Sequence, residues 1–205
     1  MRKLKGRPSS EEQAAHQEHL LAVSRDEFLA NGYNATSIDA IARKAGISKL
    51  TIYRRFAGKE GLFLAVADRV VLASTRLPDV RTDDRPPAEV LAEFASAILE
   101  GYLAPESLAI IRLVITEALQ FPEVARRYYE QAVQTLEPLV RYLAALDGEG
   151  VLVIGDPPRA ALTFTSLCMD GVRFLIMPAP AVGEPRQAWC RDVTRIFLEG
   201  HRRRE

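Results

Sequence analysis

Apolar residues recur at the spacing of an α-helix along almost the whole chain. Ile38, Ile41, Ala42 and Ala45, for example, fall at positions i, i+3, i+4 and i+7, which places all four on one helix face. The one strand-like run, residues 150–155, is short and flanked by glycine, so we interpret it as a connector. A chain patterned in this way is predicted to fold as an all-α protein.

Start and stop signals divide this pattern into about nine predicted helices. The first runs from Ser9, which opens a capping box, to about Asn31. The second follows a cap at Thr36, the third follows a cap at Ser48, and the fourth begins near Lys59. Five further helices begin at or beside a proline, and an internal proline should kink the third of them; they cover residues 87–103, 105–119, 122–146, 157–177 and 184–201.

Length and charge exclude several classes of protein. The chain has 205 residues, enough to bury a core without disulfides, and its two cysteines make no disulfide framework. Lys and Arg together number 27, as do Asp and Glu, and a net charge of zero disfavours a protein that coats polyanions. We find no apolar run of membrane-spanning length and no apolar segment behind the basic N-terminus, so we expect a cytoplasmic protein without a membrane partner.

Residues 36–56 have the spacing of a helix-turn-helix, with a short turn at Gly46 between two helices. From Arg43 to Lys59 there are six basic residues and no acidic one. Clustered cations neutralise DNA phosphates, and the interleaved hydroxyl groups are typical donors to phosphates and base edges. We therefore predict that the second helix of the motif enters a major groove of double-stranded DNA. A solvated basic face on an ordinary helical bundle is the alternative.

Separate roles are predicted for the residues of that second helix. Lys49, Leu50 and Thr51 lie near its N-terminal end, which usually reaches base edges, and Leu50 can meet a thymine methyl group. Contacts to phosphate are assigned to Tyr53, to Arg54 and, at the N-terminus of the next helix, to Lys59.

The run from Phe28 to Phe63, FLANGYNATSIDAIARKAGISKLTIYRRFAGKEGLF, resembles the DNA-binding domain of TetR-family transcriptional regulators. The resemblance implies a helical homodimer, with no cofactor, that binds palindromic operators and releases them when a small hydrophobic or amphipathic effector binds. Residues 121–130 and 155–164 are similar to an AefR-like subgroup. Leu50 stands where the family often has Gly or Pro. The predicted DNA-binding set, part of it carried over from the family, is Thr36, Ser48, Lys49, Leu50, Thr51, Tyr53, Arg54, Arg55 and Lys59.

The resemblance also implies a division of the chain near residue 58. Residues 1–58 are expected to form the helix-turn-helix domain, and residues 59–205 a helical bundle for ligand binding and dimerisation, with the helix at Lys59 as connector. The basic arm at residues 2–8 either lies in a minor groove or is a disordered solubilising tail.

Two further sets of residues are predicted in the C-terminal half. Aromatic and polar residues inside apolar helical patterns are candidates for a ligand pocket, although each taken singly is more often plain core or surface. An apolar stripe on the last helix is the candidate dimer surface, with an intramolecular core as the alternative. The pocket candidates are Phe94, Tyr102, Glu117, Phe121, Tyr128, Phe164, Cys168 and Arg173, and the dimer candidates are Trp189, Val193, Ile196 and Phe197.

Competing functions find less support in the sequence. An enzyme is not expected, because there is no nucleophile elbow or P-loop and only three histidines. His16 and His19 share a helix face but have no further ligand at a metal-binding spacing, so no metal is predicted. The remaining alternative is a helical DNA-binding protein without a small-molecule effector, either structural or redox-responsive through its cysteines.

Overall fold

The chain folds entirely from α-helices where its structure is described. The computed structural model describes residues 10–74, 76–80, 85–171 and 173–203, and within these ranges it has eleven helices and no strand beyond one antiparallel bridge between Leu152 and Arg202. The predicted all-α class is confirmed. The helices are α1 Ser10–Ala35, α2 Ile38–Ala45, α3 Lys49–Phe56, α4 Lys59–Ser74, α5 Pro87–Leu103, α6 Pro105–Glu117, α7 Pro122–Gln134, α8 Glu137–Gly148, α9 Pro157–Cys168, α10 Arg173–Ile176 and α11 Glu184–His201.

Eleven helices replace the nine predicted because two long helices are broken. The helix predicted over 122–146 ends at Gln134, and α8 restarts with Pro138 in its first turn, so this proline separates two helices instead of kinking one. The helix predicted over 157–177 ends at Cys168, because Asp170 and Gly171 both adopt left-handed backbone angles, with φ of 52° and 61°.

The caps of the helix-turn-helix correct one prediction. Thr36 was predicted to cap α2, but Ser37 is the N-cap, and its hydroxyl accepts from the amide of Ala40 at 3.2 Å. Ser48 caps α3 as predicted and accepts from the amide of Thr51 at 3.2 Å. Gly46 ends α2 at a φ of 66°, the left-handed conformation that glycine adopts at no steric cost. The predicted cap at Ser9 and the basic arm lie outside the described residues.

Two apolar cores hold the helices together. The N-terminal core joins buried residues of α1 to α4, and it includes all four residues of the predicted inward face of α2. Ile110 and Val114 of α6 and Val124 of α7 belong to this same core. The C-terminal core joins residues of α5, α8, α9, α10 and α11. Since α6 and α7 share in the first core, the helix-turn-helix rests on the bundle through continuous apolar packing.

Candidate nucleic-acid interface

The α3 helix has one buried face and one exposed face. Ile52 is fully buried in the N-terminal core, and α3 packs on α2 and α4. On the opposite side Leu50 is 74% exposed and Tyr53 is 55% exposed. These two exposed side chains lie on the same side of a short helix as exposed cations, so this side of α3 offers both apolar and charged groups to a partner. This exposed side of α3 is called the reading face below.

Five of the six basic residues of the motif, all except Lys59, fall into two groups. Arg43, Arg54 and Arg55 are exposed and have no ion-pair partner in the part of the chain that the structure describes. Lys44 pairs with the buried carboxylate of Glu27, and Lys49 pairs with Asp39 at 2.8 Å. The acidic partners come from outside the acid-free segment, which is why sequence spacing did not show them.

Lys49 remains available to DNA despite its partner. The hydrogen bond to Asp39 and the charge of that residue raise the pKa of Lys49, so the side chain is a cation at neutral pH. Both members of the pair are exposed, and exposed pairs contribute little to stability. A phosphate or a guanine edge can therefore replace Asp39 at small cost.

The hydroxyls at the start of α3 form a small cluster. The Ser48 and Thr51 hydroxyl oxygens are 2.9 Å apart, and the Ser48 oxygen also accepts from the Thr51 amide. A cap bonded in this way holds the first turn of α3 in one geometry. Ser48 is exposed and Thr51 half-buried, so both predicted residues border the reading face.

Thr36 points into the protein, contrary to the prediction that it contacts DNA. The residue is only 3% exposed, and its hydroxyl donates to the backbone carbonyls of Glu27 at 3.1 Å and Gly32 at 2.7 Å. Its side chain closes the end of α1 instead. The physical reason is a break in that helix at Gly32, where φ is 80° and carbonyl groups are left without helical partners.

Lys59 is turned toward the same helix end. Its ammonium group donates to the carbonyls of Tyr33, Asn34 and Thr36 at 3.0, 3.1 and 3.2 Å and lies 4.6 Å from the centre of the Tyr33 ring. Burial lowers the pKa of Lys59, and the negative charge of Glu117 opposes that change. The predicted phosphate ligand thus acts in the structure as a cap on α1.

Polar and aromatic contacts join α6 and α7 to the first four helices along the length of α6 and the first half of α7. The Phe121 ring meets the Tyr33 ring edge to face at 4.7 Å, and the Glu117 carboxylate lies 3.5 Å from the Asn34 amide. On either side, Arg25 pairs with Glu106 at 2.9 Å and Arg127 pairs with Glu60 at 2.8 Å. We call these four contacts the junction. Glu117 and Phe121, predicted to bind ligand, belong to it.

The other predicted ligand residues do not form one pocket. Phe94, Phe164 and Cys168 are fully buried in the C-terminal core, where neighbouring side chains fill the space around them. Arg173 is exposed and pairs with Asp170 at 2.7 Å. The structure therefore does not bring these four into a common pocket, and their ligand role stays a prediction, because an aromatic or polar residue in an apolar pattern is also typical of a filled core or a helix end.

Tyr102 and Tyr128 do line a common cavity, between α5, α6 and α7. Burial is the main cause that raises the pKa of each phenol, so both are neutral at physiological pH. Ser107 also lines this cavity and was missed at the sequence level. A signal existed, since Ser107, Ile110, Ile111 and Val114 follow the i, i+3, i+4, i+7 spacing and place a polar residue on the inward face of α6.

Most of the predicted dimer stripe lies inside the protomer. Val193 and Phe197 are buried in the C-terminal core, where Phe197 meets Phe164 edge to face at 5.1 Å. Trp189 donates its indole N–H to the carbonyl of Cys168 at 2.9 Å. Val193 and Phe197 thus pack on α5 and α9 within the protomer, which is the alternative stated for this stripe, and a partner contact stays a prediction for the part of the stripe that is exposed. Ile196 alone of the four is half exposed.

Thiol redox chemistry was the alternative left open by the sequence, and metal binding was not predicted. Both cysteines are buried, and burial is the main cause that raises the pKa of each thiol, which disfavours the reactive thiolate. Within residues 10–74, 76–80, 85–171 and 173–203, no group of three or more His, Cys, Asp or Glu side chains is placed to hold a metal. In the same ranges, no helix is both long and apolar enough to cross a membrane.

A capped helix-turn-helix with an exposed, cationic second helix, mounted on a helical bundle, defines a DNA-binding transcriptional regulator. Two family models match the chain. The model described as bacterial regulatory proteins of the tetR family matches residues 20–66, and the AefR-like transcriptional repressor C-terminal domain matches residues 89–199. The chain belongs to the TetR family of transcriptional regulators.

Relatives match along nearly the full chain. YvkB of Bacillus subtilis strain 168, an uncharacterized HTH-type transcriptional regulator, is 24% identical over 182 residues, which are 88% of this chain and 94% of YvkB. The solved structure of the flavonoid-responsive regulator FrrA has a TM-score of 0.77 at 26% identity and covers 94% of this chain and 100% of its own. A TetR-family regulator from Mesorhizobium loti MAFF303099 has a TM-score of 0.74 at 23% identity, with coverages of 93% and 98%.

Proposed function

We propose that this protein is a ligand-responsive repressor that binds a palindromic operator as a homodimer and leaves it when a small molecule binds. Residues 1–58 would read DNA, and residues 59–205 would bind the effector and the second protomer. The observation that carries the proposal is the reading face, where Leu50 and Tyr53 are exposed beside two arginines with no ion-pair partner in the described chain.

The reading face supports a division of labour along α3. Its first turn would meet base edges through Lys49, Leu50 and Thr51, because the N-terminal end of a recognition helix lies deepest in the major groove. Tyr53, Arg54 and Arg55 would contact phosphates on the strands that flank the groove. Ser48 would add a hydroxyl at the edge of the same surface. Thr36 and Lys59 are left out, because their side chains are used at the end of α1.

A homodimer would place two reading faces about 34 Å apart, one turn of DNA. Exposed apolar residues of the C-terminal third support a second copy as the partner. Ile176, Met177 and Val182 lie between α10 and α11 or at the end of α10, and Ile196 lies on the outer side of α11; all four are at least half exposed. Ile196→Asp is expected to give monomers in light scattering, whereas a dimer of this variant assigns the contact to another surface.

Repression and release rest on the comparisons and on the junction. The family model that covers the C-terminal half is a repressor domain, and the similar regulator FrrA is flavonoid-responsive. A ligand that prefers a protomer arrangement unable to span two grooves would lower operator affinity by the ratio of its affinities for the two arrangements. The junction supports such coupling, because it joins α6 and α7 directly to the helices that carry the reading face.

Selection of an operator from random double-stranded DNA tests the proposal. We expect an inverted repeat with half-site centres about 10 base pairs apart and a discrete footprint. Tyr53→Ala should weaken binding to all sequences, and Leu50→Ala should relax preference at one base pair. Tyr129→Ala and Leu119→Ala are matched controls, because both residues are exposed and lie on or beside α7, whereas α3 packs on α2 and α4. Uniform protection of DNA would instead indicate a coating protein.

A further inference from the structure

A groove of about 560 Å³ lies between the first turn of α5 and the second half of α11. Its lining is mostly aliphatic and includes Ala88 of α5, Leu198 of α11, and Val151 and Leu152 of the connector at residues 150–155. Small-molecule sites have volumes of about 300–1,000 Å³ and are lined mainly by apolar groups. The described residues that line the groove include none from α1–α4, α6 or α7, so it is separate from the junction.

The connector forms a wall that is held in place. The Val153 amide donates to the carbonyl of His201 at 2.9 Å, and Leu152 and Arg202 form the antiparallel bridge. The Ile154 amide donates to the Asp147 carboxylate at 2.9 Å. These bonds tie the connector to the ends of α8 and α11, so the wall is built before anything binds.

The polar part of the groove favours an anion. Its charged lining residues are three arginines and one glutamate, namely Arg191, Arg195, Arg202 and Glu199. Arg195 pairs with Glu199 at 3.4 Å and Arg191 pairs with Glu184 at 2.5 Å, but these pairs are exposed and can exchange partners at small cost. The start of α5 has no side-chain cap, so the positive end of its dipole adds to the same field.

Thr194 supplies an unused hydrogen-bond donor in this wall. The residue is 2% exposed and lines the groove, and its hydroxyl has no partner in the described chain. By contrast, Thr116, Thr163 and Thr165 each donate to the carbonyl four residues earlier in their helices, at 2.8 to 3.0 Å. A buried hydroxyl without a partner destabilises the fold, and an acceptor on a ligand would satisfy it.

We propose that this groove binds an aliphatic carboxylate. The carboxylate accepts from the Thr194 hydroxyl and lies beside the first turn of α5 and Arg191, which is three residues before Thr194 on the same helix face. The aliphatic tail lies along Leu198 toward Leu152 and Val151. Arg202 is about 12 Å further along the helix axis than Thr194, so it borders the tail. The site is independent of the proposed function, because no residue of the reading face takes part in it.

Calorimetry on the full chain without DNA tests the ligand class. Octanoate, 1-octanol and octylammonium have the same tail and differ in the charge of the head. We expect octanoate to bind, and the other two to bind at least about tenfold more weakly, because hydrogen bonds to a charged acceptor are the stronger ones and a cation meets the arginines. If octanoate does not bind, or if octylammonium binds equally well, the proposal is overturned.

Two variants test the head of the site. Thr194→Val removes the unpaired hydroxyl, so the empty protein should melt at the same or a higher temperature while octanoate binds about fivefold more weakly. Arg191→Gln should weaken octanoate about tenfold and leave the weak binding of 1-octanol unchanged. Arg202→Gln is the matched control, because it makes the same change of charge at the tail end and should alter octanoate affinity less than about twofold. Unchanged octanoate affinity in both Thr194→Val and Arg191→Gln places the ligand elsewhere and refutes the site.

A second copy of the chain is the other occupant that this groove could take, and Val151→Asp distinguishes the two. Val151 is 45% exposed, so the substitution is expected to leave the fold intact while it places a negative charge beside the tail. Octanoate should then bind at least about tenfold more weakly, with the oligomeric state in light scattering unchanged. Conversion of a dimer to monomers by Val151→Asp would show that a second copy covers the groove, and would overturn the ligand assignment.

Discussion

Lys59 is expected to stabilise the fold, although it belongs to the basic segment that was predicted to contact DNA. Its ammonium donates to three carbonyls at 3.0 to 3.2 Å and lies over the Tyr33 ring. Hydrogen bonds from a charged group contribute about 1.5–3 kcal/mol where they are buried, and a cation–π contact adds about 0.5–1 kcal/mol. Lys59 is only half-buried, so these contributions are partly screened by water.

Lys59→Met isolates the charge, because methionine keeps a flexible apolar stem of similar length. We expect the variant to lose about 1–2 kcal/mol of unfolding free energy, because the carbonyls left without donors at the end of α1 cost more than is gained by removing a charge whose burial lowers the pKa of Lys59. Urea unfolding at a fixed protein concentration measures the loss as a lower midpoint. Concentration must be fixed because a dimer gains stability by mass action.

Lys49→Met is the matched control with the opposite expectation. Lys49 is exposed and bonded to Asp39, so its loss should leave the urea midpoint nearly unchanged. On DNA it should reduce the slope of log affinity against log salt by about 0.9, the value for one phosphate contact. If Lys59→Met unfolds at the wild-type midpoint while it lowers the salt slope, the structural assignment of Lys59 is wrong.

Three other perturbations have expected outcomes. Gly61→Ala would place a Cβ 1.8 Å from the backbone oxygen of Phe56, so it should lower the free energy of unfolding in urea by about 2 kcal/mol or more. Gly148→Ala is the control, because the space around Gly148 is open, and it should be neutral or slightly stabilising. Equal effects of the two variants would contradict the close approach of α3 and α4. Phe164→Ala should cost about 3–5 kcal/mol in thermal unfolding because the residue fills the C-terminal core, and a small loss would reopen its assignment to a ligand pocket. Burial raises the pKa of both cysteine thiols, so a disulfide reagent at pH 8 should label the native protein far more slowly than the unfolded chain, and fast native labelling would restore the redox alternative.

Local signals determined most of the DNA-binding half. The turn at Gly46 and the cap at Ser48 are specified within a few residues, so spacing alone predicts α2 and α3. Thr36 and Lys59 were predicted to contact DNA, but their side chains point toward the end of α1, because the direction of a side chain depends on the groups near it in space. The sequence predicts that the first helix ends next to Gly32, but it does not show that Thr36 and Lys59 lie close to the free carbonyls there.

The C-terminal half was predicted less well for a related reason. An apolar stripe such as Val193 and Phe197 shows that a helix face is buried, but the same stripe fits a partner chain or the protein's own core. Tyr102 and Tyr128 line a common cavity because they lie where three helices meet. The position of that meeting point is set by the packing of the helices and not by local sequence. The sequence pattern thus shows which residues are buried, but it does not show which residues they pack against.

Because the first four helices share an apolar core with α6 and α7, the helix-turn-helix of this protein cannot be transferred to another regulator without disturbing that core. Ile110, Val114 and Val124 close the underside of the helix-turn-helix. In a chimera that joins residues 1–58 to the C-terminal half of another regulator, this surface would pack on different side chains. The steric mismatch would lower stability even if the side-chain volumes were similar. Evolutionary exchange of operator preference is easier by substitution on the reading face, where Leu50 and Tyr53 contact solvent instead of the core.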